Sequence, residues 1–188
     1  KKQGVTVIPV SHHNLLDEST LYPEECTIEN TKEVTALLEA YGVPVYLSGH
    51  LHLQRIKKHT SNLNTPGGYG IREIVTSPLP MAPCQYSILN WQADGSLSYH
   101  TKKVDIAGWA QRYGEEDENL LNFDAYADQF LVDVISEQAF KALQSASKDI
   151  KEEMARLYAD MNRDYCSGTK IDVAKIRKSE EYQYWIRY

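Results

Sequence analysis

At 188 residues, 42% of them hydrophobic and 24% charged, the chain has the make-up of an ordinary soluble protein and is long enough for one large domain or two small ones. Its net charge of −6 is uneven: residues 1–103 hold 9 basic and 9 acidic side chains, whereas residues 104–188 hold 11 and 17. A neutral-to-acidic surface offers no electrostatic footprint for duplex nucleic acid, and no apolar run approaches the roughly 18 residues of a membrane helix.

The three cysteines, Cys26, Cys84 and Cys166, are odd in number and far apart. They fit neither a disulfide framework nor a zinc ribbon and read as buried or free thiols. The chain opens with Lys1-Lys2-Gln3 and runs directly into an apolar stretch. Any targeting segment would precede it, which leaves the compartment open between the cytoplasm and export from a bacterial cell.

Residues 5–10, Val-Thr-Val-Ile-Pro-Val, predict a short strand buried on both faces and central in a sheet. Ser11-His12-His13-Asn14 follows at its end, and then a polar loop over residues 17–25. Asn30 or Thr31 can cap a helix with Val34, Leu37, Leu38 and Tyr41 on one stripe, closed by Gly42. A second buried strand over residues 43–47 leads into Ser48-Gly49-His50-Leu51-His52. In extended backbone, residues two apart face the same side. His50 and His52 are therefore expected to face one spot, with Gly49 turning the chain before them.

The two places share one pattern, a buried strand with histidine at its C-terminal end, which is where ligands collect in open α/β sheets. Four of the six histidines fall in these clusters, and imidazole is the commonest neutral metal ligand. His59 and His100 lie in strand-like polar surroundings and receive no role.

Residues 53–60, with Arg55, Lys57 and Lys58, read as a partly exposed strand. Asn64-Thr65-Pro66-Gly67-Gly68-Tyr69-Gly70 reads as a loop, residues 71–76 as a further strand, and residues 77–83 as too rich in proline for one. Residues 85–91 and 97–104 flank Ala93-Asp94-Gly95-Ser96, whose Asp-Gly signals a hairpin, so this half is expected to end as an antiparallel meander. Beyond it, three amphipathic helices are expected. The first carries Leu120, Phe123, Ala127, Phe130 and Val134; the second carries Ile150, Met154, Leu157, Met161 and Tyr165 and stops at Gly168; the third is capped by Asp172 and carries Ile176, Tyr182, Trp185 and Ile186. The aromatic residues Tyr182, Tyr184, Trp185 and Tyr188 read as cover for the core more readily than as a binding face. The expected fold class is α/β (α+β). Residues 1–106 form a sheet domain and residues 107–188 a three-helix domain, with the boundary within residues 107–119.

Strand–Ser-His-His, helix, strand–Ser-Gly-His-Leu-His resembles the C-terminal half of the calcineurin-like metallophosphoesterases. In that family a histidine motif followed by Gly-His-x-His supplies three ligands to a two-metal centre. The resemblance covers residues 1 to about 104 and implies part of a four-layer β-sandwich flanked by helices. The helical tail is loosely similar to the C-terminal appendage of some bacterial members. Carried over, His12 and His50 would ligate one metal and His52 the other, while His13 would either contact the substrate phosphate or simply pack. The implied activity is hydrolysis of phosphodiester or phosphomonoester bonds of small phosphorylated substrates, nucleotides or cyclic nucleotides among them, by a metal-activated water. The implied cofactors are two divalent or transition metal ions, Mn, Fe or Zn.

The family's N-terminal motifs, Asp-x-His, Gly-Asp and Gly-Asn-His-Asp/Glu, do not occur in these residues. The chain is therefore expected to be a C-terminal fragment that lacks an N-terminal half, holds one ion or none by itself and turns over weakly or not at all. Uncovered sheet edges would favour self-association into a homo-oligomer. The alternative from another class is a non-catalytic zinc-binding or protein-interaction module. The residues 62–69 and 78–83 are expected either to border the substrate pocket or to be ordinary connections.

Overall fold

The computed structural model describes residues 5–17, 24–60 and 70–188. The expected loop over residues 62–69, most of the polar loop over 17–25 and the first four residues lie outside them. The chain is α+β, and its contacts divide it into two compact units, Lys1–Pro78 and Leu79–Tyr188.

In the first unit, helix α1 (Thr31–Ala40) precedes three strands, β1 (Val45–Ser48), β2 (Arg55–Lys58) and β3 (Arg72–Val75). The sheet order is β1-β3-β2, with β3 parallel to β1 and antiparallel to β2. The central strand β3 is buried after its first residue, as a strand paired on both sides should be. Leu15, Tyr46 and Ile71 form the core, with Leu16, Ile28, Val34 and Leu38 packed against it. Leu37 and Tyr41 of the expected helix stripe turn outward instead. No side chain caps α1; Thr31 Oγ1 bonds back to the Ile28 carbonyl at 2.7 Å. Gly42, at φ 60°, closes it as expected.

Residues 5–10 depart from the sequence expectation. They form no strand and run beside β1 with a single bridge, Val10 to Leu47. Two ladder bonds hold them, Ser11 N–H to the Leu47 carbonyl and Leu47 N–H to the Pro9 carbonyl, each 3.0 Å. Proline has no N–H to extend the ladder. Val5, Val7 and Val10 are 57%, 56% and 72% exposed, so a segment with the composition of a central strand forms an apolar edge among the described residues.

In the second unit, β4 (Gln85–Trp91) and β5 (Leu97–Lys103) form the expected hairpin, turned by Gly95 at φ 84° with Asp94 accepting from Ser96 N–H at 2.8 Å. The expected meander is not continuous: β4 and β5 are a separate two-stranded sheet. The helices are α2 (Ile106–Tyr113), α3 (Glu118–Leu121), α4 (Phe123–Ala142), α5 (Lys148–Ser167), α6 (Val173–Ile176) and α7 (Glu180–Arg187). Residues 107–119, expected to be a boundary, are largely helical because Asp105 and Asp117 cap α2 and α3. The third expected helix is two, because Ser179 accepts from Tyr182 N–H and starts α7 anew.

Helices α4 and α5 pack along their length. Val132, Met154, Ala155 and Ala159 are buried, while Phe130 and Val134 of the expected α4 stripe lie exposed. Trp185 ties α7 to α5, donating from Nε1 to the Met154 carbonyl at 3.0 Å and lying 6.0 Å from the Tyr158 ring. The cysteines are free thiols; burial raises the pKa of Cys84 and Cys166. No helix among the described residues is long and apolar enough to cross a membrane.

Candidate functional site

The histidines converge at the C-terminal end of β1. Gly49 N–H donates to the His12 carbonyl at 3.1 Å, which pins the end of β1 to the start of the His12-His13 turn. Leu51 N–H then donates to the Gly49 carbonyl at 2.7 Å, making a three-residue turn with His50 at its centre. His50 has φ 62° and His52 φ 55°. The extended backbone expected here is therefore absent, and the positions are left-handed instead. Such strain in residues that bear a Cβ is held only where surrounding bonds over-determine it, and it collects at functional sites.

This turn brings His50 against the earlier cluster. His50 Nδ1 lies 3.2 Å from His12 Nε2. The His13 and His50 rings stack at 4.3 Å with a tilt of 35°, and the His12 ring stands edge-on to His13 at 5.2 Å and to His50 at 5.0 Å. His13 is thus packed on the two proposed ligands while remaining exposed. His52 is exposed and makes no ring contact with these three among the described residues. Its influence is electrostatic. Burial lowers the pKa of His50 first, and the neighbouring charges of His13, His12 and His52 add to it. Each effect favours neutral imidazole, the form that binds a metal.

Below the histidines lies a buried polar network that the sequence did not signal. Glu73, on central strand β3, is fully buried. Its Oε1 accepts from Leu15 N–H at 2.6 Å, Ser48 Oγ at 2.6 Å and Asn14 Nδ2 at 3.3 Å; its Oε2 accepts from Leu16 N–H at 2.7 Å. Lys57, directly opposite on β2 and 8% exposed, places Nζ 3.2 Å from Oε2 and also donates to the Leu16 carbonyl. Asn14 Nδ2 further donates to Ser48 Oγ at 2.7 Å. The only hint in the sequence was a lysine and a glutamate in neighbouring strand-like stretches, and pairing register alone makes them partners.

With the roughly 2.1 Å bonds typical of imidazole, two nitrogens 3.2 Å apart subtend about 100° at a shared ion, within tetrahedral or octahedral range. Two ring nitrogens that face each other at this distance suit a common ion or a shared proton. Among the described residues no group of three or more His, Cys, Asp or Glu side chains is arranged to hold an ion.

Three of the imidazoles, those of His12, His13 and His50, thus cluster at the end of β1. Residues 105–188, just under half of the chain, match the family model described as the C-terminal domain of cyclic nucleotide phosphodiesterase. The match lies in the helical part and leaves the histidine corner outside it. No curated protein matches the chain.

Proposed function

We propose that the chain carries the C-terminal half of a binuclear-metal phosphoesterase of the calcineurin-like kind, acting on phosphodiester or phosphomonoester bonds of nucleotides, cyclic nucleotides among them. The observation that carries this reading is the 3.2 Å approach of His12 Nε2 to His50 Nδ1. The match of residues 105–188 to a cyclic nucleotide phosphodiesterase domain supports the substrate class. In this reading residues 1–106 belong to a four-layer catalytic sandwich and residues 107–188 are its helical appendage.

In this reading His12 and His50 would hold one ion and His52 would serve the second. His13, stacked on His50, limits ring rotation of that ligand and presents an exposed imidazole edge to a phosphate. When bound, two divalent ions neutralise the phosphate and acidify the attacking water. The reading requires a carboxylate and further ligands beyond these histidines. The exposed edge at Val5, Val7 and Val10 supports a covering segment or a second copy of the chain there.

The test is elemental analysis and hydrolysis of a chromogenic phosphodiester, on this chain alone and on the full-length protein with its native flanking sequence. Two transition-metal ions in the full-length protein, and hydrolysis that falls at least a hundredfold on His50→Ala, are expected. Absence of metal from the full-length protein would overturn the reading.

A further inference from the structure

We infer that Glu73 is the positioning residue of the histidine site, a single carboxylate that clamps both histidine-bearing segments and sets the distance between His12 and His50. The inference rests on the reading of that pair as metal ligands. After His13 the chain leaves the edge of β1. Asn14 bonds to the opposite segment, its N–H to the Cys26 carbonyl at 3.1 Å and its carbonyl to Ile28 N–H at 3.0 Å. The next two amides, Leu15 and Leu16, turn into the core, where each donates to a different oxygen of Glu73. The same carboxylate receives Ser48 Oγ from the last residue of β1, two positions before His50.

One side chain thus joins the segment just after His12 to the segment just before His50. Glu73 itself sits on the central strand, paired on both sides, and belongs to neither loop.

The acceptor capacity of this carboxylate is filled. Two amides, a hydroxyl and an amide nitrogen donate to it, and Lys57 balances its charge. It therefore has no lone pair left for a metal and acts through the histidines. Glutamine has nearly the same volume but presents one acceptor oxygen and one amide donor, so at least one of the Leu15 and Leu16 N–H groups would face another donor. The backbone beneath His12 should then shift with little change in packing.

The experiment compares Glu73→Gln with Val75→Ala in the full-length protein, well below the melting temperature of both variants. Val75 is fully buried on the same strand and serves as a control for destabilisation alone. Cobalt(II) binding, read from its visible absorption, should weaken at least tenfold in Glu73→Gln and by less than twofold in Val75→Ala. In the metal-free protein, the nuclear Overhauser contact between the His12 and His50 rings should disappear in Glu73→Gln and persist in Val75→Ala. Unchanged affinity and an intact ring contact in Glu73→Gln, or equal losses in both variants, would overturn the inference. If wild type binds no cobalt, the metal-ligand reading fails, and the ring contact still decides whether Glu73 positions the pair.

Discussion

The two units are held together by different physics. In the first, the decisive contacts around the histidines are buried and polar: Glu73, Lys57, Asn14 and Ser48 share one network around a small apolar core. In the second, α4 and α5 bury Val132, Met154, Ala155 and Ala159, and their charges lie outside. Arg163, for example, bridges Asp128, Asp160 and Asp164 at the surface. Apolar packing tolerates small adjustments, whereas a buried hydrogen-bonded network admits few arrangements. The contrast teaches where precision is needed. The unit with the histidines uses buried polar groups to fix geometry, and the helical unit rests on apolar packing between α4 and α5.

The contrast can be broken most strongly at Lys57. Lys57→Met leaves the buried Glu73 carboxylate without its counter-charge, a loss of about 3 kcal/mol on the scale of unpaired buried ions. Thermal or denaturant unfolding of the first unit should show it, with the helical signal of the second unit retained to higher denaturant. Coincident loss of both signals would mean that the units are not energetically distinct. A smaller effect is expected at Ser179→Ala, which removes the cap that donors of α7 rely on and costs about 1 kcal/mol. Its signature is a lower melting temperature with the environment of the His12 and His50 rings unchanged; altered histidine resonances would contradict it.

Much of the second unit was legible because local rules govern it. Asp94-Gly95 gave the hairpin, and Gly168, at φ 80°, ended α5 where the apolar stripe stopped. The break at Ser179 was missed because the apolar spacing continues across it while the cap competes locally. In the first unit, both histidine motifs were visible in the sequence, but the strand expected before His12 does not form, and the geometry of the cluster was not visible. Extended backbone at His50 was the simple expectation, and the left-handed turn arises from the bond between Leu51 and Gly49. Lys57 read as part of a partly exposed strand and Glu73 drew no reading, because only tertiary register decides that they meet inside. The exposed valines of residues 5–10 show the converse: composition indicated a central strand, while exposure depends on neighbours that composition does not contain.

The central claim, that His12 and His50 share one ion, is tested most directly by zinc calorimetry of the full-length protein and its variants His12→Ala, His50→Ala and the double variant. The account predicts that each single substitution removes the same ion and that the double variant loses no more than either single one. Independent losses that add in the double variant, or no zinc binding by the unsubstituted protein, would contradict it.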